Sequence, residues 1–241
     1  MSEPKKTALI VSAHSADFVW RAGGAIALHA SQGYAVTVVC LSFGERGESA
    51  KLWRQSGMTL EKVKSERRRE AEAAAAALDV ADIQFWDLGD YPIRLGDDSL
   101  FRLADLYRAV RPAFAASHSR KDIYNYDHPM VTEFAQHARI IAQAHGHNPE
   151  VPVLGAPPFY LFEPHQPEQC DWKPNVLLDI TPVWEKKRKA IECMAGQEHL
   201  WEYYTRVALQ RGAQAARNSD KKITYGEGYE AVFPLVTETL A

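Results

Sequence analysis

The sequence is poor in cysteine and has no long apolar run. Its three cysteines, Cys40, Cys170 and Cys193, are scattered, odd in number and form no CxxC pair. That excludes a disulfide framework and suits a reducing cytoplasm. The first apolar run lasts only from Ala8 to Ala13 before His14 closes it. A secretory signal needs a longer stretch, and a membrane helix needs about 20 residues. The chain is therefore expected to be neither exported nor membrane-spanning. An excess of positive charge is missing too: 28 Lys and Arg stand against 31 Asp and Glu, for a net charge of -3. Nucleic-acid binding requires a concentrated basic surface, so it is not expected here. No repeat, low-complexity tract or Pro/Ser linker divides the 241 residues. One domain spanning 1–241 is expected, apolar enough to bury a core without a staple.

What is present is a rhythm of short branched apolar runs and amphipathic segments. Strands are expected at Thr7–His14, Ala35–Ser42, Ile83–Leu88, Ala113–Ser117, Val151–Leu154 and Val176–Ile180. Helices are expected at Phe18–Ser31, Thr59–Leu78, Ser99–Val110 and Pro129–His145, with two more between Pro182 and Arg217. Alternating strands and helices predict an α/β fold with a doubly wound, mostly parallel sheet. Ligands of such sheets bind beyond the carboxyl ends of the strands. The loops expected there are crowded with titratable residues: His14 and Asp17, then Glu45, Arg46 and Glu48, then Asp87 and Asp90, then the stretch from His118 to His128. That crowding points to an enzyme.

His14 and Asp17 form a His-x-x-Asp turn between strand and helix. A catalytic zinc takes three ligands from His, Asp and Glu and keeps one position open. His128 completes such a set if its loop lies beside the first. An isolated HxxD peptide also satisfies a strand end and a helix N-cap, with no metal at all.

The motifs extend further. Ala13-His14-Ser15-Ala16-Asp17-Phe18, Gly44-Glu45-Arg46-Gly47, Arg67 with Glu70, Asn125-Tyr126-Asp127-His128, and Asp179-Ile180-Thr181 with Lys187 and Gln197 follow one another over most of the chain. In this order they resemble the LmbE-like (PIG-L) superfamily of zinc-dependent N-acetylglucosaminyl deacetylases. The resemblance implies a Rossmann-like fold and one zinc ion per chain, held by His14, Asp17 and His128. Two departures stand out. The family's general base falls on Ala16, and a histidine that would stabilise the oxyanion falls on Asn125. Amide hydrolysis needs both functions. Ala16, the Phe43–Ser49 loop and Phe162–His165 resemble instead a hydratase branch of the superfamily. That branch adds water to a carbon–carbon double bond of an unsaturated keto tricarboxylic acid.

For this chemistry Glu48 and His165 are the expected proton-transfer groups. Arg46, Arg120, Tyr124 and Asn125 are the expected contacts to substrate carboxylates. Asp127 is expected to orient a ligand histidine. Arg67, Arg68 and Arg69 read as ion pairs on a charged helix face, and Trp201, Tyr203 and Tyr204 as packing. The alternative is an N-acetyl-sugar deacetylase whose base has moved to Glu48. A third possibility is a degenerate enzyme that binds metal or carboxylates without turnover. A cytoplasmic homo-oligomer with a small tricarboxylate substrate is the expected setting.

Overall fold

The computed structural model of the chain describes residues 5–236. A seven-stranded sheet runs in the order β3-β2-β1-β4-β5-β7-β6. Its strands are β1 (Thr7–Ser12), β2 (Ala35–Cys40), β3 (Asp82–Phe85), β4 (Phe114–Ser117), β5 (Phe159–Phe162), β6 (Val176–Asp179) and β7 (Gly226–Ala231). The first five are parallel, and β7 runs antiparallel between β5 and β6. The helices are α1 (Asp17–Ser31), α2 (Ala50–Trp53), α3 (Leu60–Ala77), α4 (Asp97–Val110), α5 (Asp127–Ile141), α6 (Trp184–Cys193) and α7 (Trp201–Arg217).

Side chains alternate across β1. Ala8 and Ile10 enter the core shared with α1, α3, α6 and α7, while Leu9 and Val11 enter the core shared with α4 and α5. Helices thus cover both faces of an α/β sheet, as strand-by-strand burial demands. Small residues let α1 and α3 each pack closely within the first core, where both touch α6: Ala22, Ala25, Ala71, Ala74 and Ala75 are all buried there. Among the described residues, no helix is long and apolar enough to cross a membrane. The three cysteines are free.

Two expectations fail. Val151–Leu154 is not a strand; Leu154 N–H instead donates to the Ala142 carbonyl, and β5 begins at Phe159. β7 was not expected, because Gly226-Glu227-Gly228-Tyr229-Glu230-Ala231 carries polar residues where a buried strand normally shows apolar ones. Glu227 tolerates burial because it is fully partnered. Its carboxylate accepts from Lys187 Nζ (2.6 Å), the Tyr229 hydroxyl (2.6 Å) and the backbone N–H groups of Gly24 (2.6 Å) and Ala25 (2.8 Å). Those two N–H groups lie in the middle of α1. The carbonyls four residues earlier, Trp20 and Arg21, accept from Lys187 and Tyr229. A buried charge cluster thus sits against the middle of α1, and its contacts at Gly24 and Ala25 lie two turns beyond Asp17.

Candidate active site

The site forms where chain direction across the sheet reverses. β1 and β4 are adjacent and parallel, with β2 beyond one and β5 beyond the other. Loops leaving their carboxyl ends therefore lie side by side. His14 follows β1, and its backbone N–H donates to Asp17 Oδ2 at 2.8 Å. His14 Nδ1 is 3.1 Å from that oxygen, and Asp17 Oδ1 is 3.4 Å from His128 Nε2. The two imidazoles meet at 3.3 Å between His14 Nδ1 and His128 Nε2. Glu48 Oε1 approaches the same centre, 3.4 Å from His14 Nδ1.

Carboxylates stand behind both rings, hydrogen-bonded to His128 and only near His14, whose Nε2 has no hydrogen-bond partner. Asp122 Oδ2 lies 2.8 Å from His128 Nδ1. Asp90 Oδ1 and Asp127 Oδ2 lie 3.3 and 3.5 Å from His14 Nε2. His118 stacks on His128 with centroids 4.0 Å apart, and its Nε2 accepts from Ala13 N–H at 2.9 Å. Burial alone would lower the pKa of His14, but Glu48, Asp127 and Asp17 outweigh it and raise it well above the ordinary value. Burial would raise Asp17, yet His128 and His118 bring it well below. The carboxylate-rich centre therefore calls for positive charge.

One ligand atom each from His14, Asp17, Glu48 and His128 lies within 4.8 Å of the others. Glu48 Oε2 is buried without a hydrogen-bond partner. Mixed N/O donors, outer carboxylates behind both histidines and an unsatisfied oxygen fit a divalent cation.

The loop carrying Glu48 is held from two sides. Asp90 Oδ2 accepts from Arg46 N–H (2.6 Å) and Gly47 N–H (2.9 Å). A Cβ at 47 would fall 1.8 Å from Tyr91 Cε2, so any larger residue there must displace that ring. From α3, Arg67 Nε donates to the Phe43 carbonyl (3.3 Å), Nη1 to Glu70 (2.7 Å) and Nη2 to Gln197 (2.7 Å). Arg67 is 0% exposed. The expectation of a surface ion pair is therefore wrong for Arg67, while Arg68 and Arg69 are exposed.

A cavity of about 790 Å³ opens over the metal cradle. Glu48, His165, Tyr124 and Asn125 all line it, alongside Asp17 and His128. His165 stands edge-on to Tyr124 at 5.7 Å and against Tyr203 at 4.7 Å. Tyr204 also lines the cavity and stacks on Trp20. Arg46 and Arg120 are exposed and lie outside this lining; the loop turns Arg46 into a separate cleft behind Asp90. The cations the fold brings to the cavity are Arg21, Lys51 and Arg54. Arg21 was missed, although it falls four residues after Asp17 and so on the same helix face.

The PIG-L family, described as GlcNAc-PI de-N-acetylase, matches residues 9–139, more than half of the chain. The chain belongs to the PIG-L family. A 4-oxalmesaconate hydratase of Pseudomonas putida (strain KT2440) is 67% identical over 100% of this chain and 95% of its own length. The crystal structure of GalB, the 4-carboxy-2-hydroxymuconate hydratase from P. putida KT2440, superposes with a TM-score of 0.95 and 67% identity, covering 98% of this chain and 100% of that one. The N,N'-diacetylchitobiose deacetylase from Pyrococcus horikoshii has a TM-score of 0.78 at 22% identity, covering 95% and 85%, and shares the fold. Within this PIG-L fold the departures at 16 and 125 have local structural roles. Ala16 is 0% exposed within the first core. Asn125 Oδ1 accepts from Asp127 N–H at 3.0 Å, at the start of α5.

Proposed function

We propose that this chain is a metal-dependent hydratase that converts 4-oxalomesaconate (4-carboxy-2-hydroxymuconate) to 4-carboxy-4-hydroxy-2-oxoadipate, in the 4,5-cleavage breakdown of gallate and protocatechuate. The 67% identity to the Pseudomonas putida hydratase, spanning the whole chain, carries this reading. The site agrees with it. Ala16 offers no hydrolytic base, while His14, Asp17 and His128 keep a cradle for one ion, which we take to be zinc.

A divalent ion bound there supplies a Lewis acid for the oxygens of the keto-acid end. In the keto tautomer the reaction breaks the π bond between carbons 4 and 5, forms a C–O bond at carbon 4 and places a proton on carbon 5. Glu48, at the edge of the cradle, accepts the proton from the attacking water. Burial raises its pKa above the ordinary carboxylate value. His165, on another loop of the cavity wall, supplies the proton to carbon. Tyr124 and Asn125 present neutral polar groups to the substrate.

The setting we infer is a cytoplasmic homo-oligomer, in keeping with three unpaired cysteines. The deciding assay follows loss of the conjugated enol's absorbance and identifies the product. Hydration without acetate release from N-acetylglucosamine conjugates supports the reading. Acetate release without hydration would return the chain to the deacetylases.

A further inference from the structure

Arg21 lies on α1 one turn after Asp17, 8% exposed, and lines the cavity. Among the described residues its one hydrogen-bond acceptor is the Glu163 carbonyl, 2.9 Å from Nη1. Its buried Nε has no partner. The nearest carboxylate oxygens stand off, Asp17 Oδ1 at 3.5 Å from Nε and Asp122 Oδ2 at 3.8 Å from Nη1, neither in a hydrogen bond. Two buried arginines that do serve a carboxylate close on it. Arg211 forks onto Glu163 at 2.6 and 2.7 Å, and Arg67 grips Glu70 at 2.7 Å. An arginine placed only to neutralise Asp17 would close on it as those do. A buried guanidinium with unused donors at a cavity wall is instead built for an anion that enters the cavity.

The other two cations do not fit that task. Lys51 is engaged by Glu198 (2.7 Å) and the Ala195 carbonyl (3.1 Å), and Arg54 is exposed.

Resting on the hydratase reading above, we propose that Arg21 is a catalytic residue that receives the substrate's carbon-6 carboxylate. As the water oxygen bonds to carbon 4, the π electrons move onto carbon 5 and spread into that carboxylate. Two negative charges then share one group until the proton reaches carbon 5. The planar two-donor fork of arginine matches such a group, and it counts most where water is excluded.

The test compares metal-loaded wild type, Arg21→Lys and Arg21→Ala for kcat, KM and metal content, with guanidinium chloride added to each. Removing one donor to developing charge lowers kcat about 10²–10³-fold, and that loss is expected for Arg21→Ala, with metal content unchanged. Arg21→Lys falls in between, because charge is kept and the fork is lost. Millimolar guanidinium restores part of the alanine variant's kcat and leaves wild type and Glu48→Gln unaffected. If Arg21→Ala keeps wild-type kcat and KM, Arg21 has no role. If it loses its metal and guanidinium restores nothing, Arg21 only supports Asp17, and the assignment is overturned. A wild type that fails to hydrate the tricarboxylate overturns the hydratase reading itself and this assignment with it.

Discussion

Asp122 Oδ2 sits 2.8 Å from His128 Nδ1 and so turns the opposite nitrogen of that ring toward Asp17 and His14. An outer carboxylate of this kind typically contributes about 10–100-fold in metal affinity. Asp122→Asn is therefore expected to retain the fold and to release its ion to a chelator at correspondingly lower concentration. His14→Ala should lose the ion outright. Elemental analysis after dialysis measures both, and a fully loaded His14→Ala protein would refute the ligand assignment.

Glu48→Gln keeps shape and removes basicity. Turnover should fall about 10²–10⁴-fold, while metal content changes little because His14, Asp17 and His128 remain. His165→Ala should fall comparably, with part of the loss in KM if the ring also touches a carboxylate. Near wild-type turnover in Glu48→Gln would make Glu48 a bystander.

Burial, followed by the nearby Arg21, lowers the pKa of His165 below the ordinary histidine value. A group that must donate its proton is active below its pKa, so kcat/KM is expected to decline as pH rises through a value under about 6.5. Arg21→Lys keeps the charge and should leave that limb nearly in place. Arg21→Ala removes a lowering influence and should move it to higher pH. A limb that moves downward instead would remove His165 as the acid.

Ala16→Asp puts a carboxylate at a position with 0% exposure, packed in the first core next to Asp17. Burying that charge is unfavourable, and it also adds repulsion to an already anionic centre. Hydration should decrease, and no acetate should be released from N-acetylglucosamine conjugates. An Ala16→Asp enzyme that hydrates faster than wild type would show that the missing base limits the reaction.

Lys187→Met leaves the Glu227 carboxylate buried with a hydroxyl and two backbone N–H groups but no cation. Breaking a buried pair from one side costs about 3–5 kcal/mol, to be read from urea unfolding. Gly24→Ala should also destabilise, because its Cβ would lie 2.6 Å from Ile180 Cγ2 and 2.8 Å from Glu227 Oε1; overpacking of this kind costs about 1–3 kcal/mol. A Lys187→Met protein as stable as wild type would mean that the cluster contributes nothing.

β1 to β4 were legible because each is a short stretch rich in apolar residues with a helix next in the chain, whereas β5 was missed and the strand expected at Val151–Leu154 is a loop. β7 was missed too, since its stability lies in partners more than 200 residues away, Gly24 and Ala25, that no local pattern records. Likewise motif order brought His14, Asp17 and His128 together as the structure does, whereas the cations of the cavity were not foreseen. Loop position suggested Arg46 and Arg120, but Asp90 clamps the loop backbone and directs Arg46 into another cleft. Arg67 was misread for a related reason. Its helix is highly charged, and only the fold reveals that this one arginine turns inward to Phe43 and Gln197.

The packing of Glu227 against α1 also bears on folding. Every candidate ligand of the cradle, from His14 to His128, is synthesised well before residues 227 and 229. The helix that carries Asp17 and Arg21 therefore gains its contacts to Glu227 and Tyr229 only from a late part of the chain. Because an ion adds its binding energy to folding only where the site is shaped, docking of β7 on α1 and loading of the cradle are expected to reinforce one another.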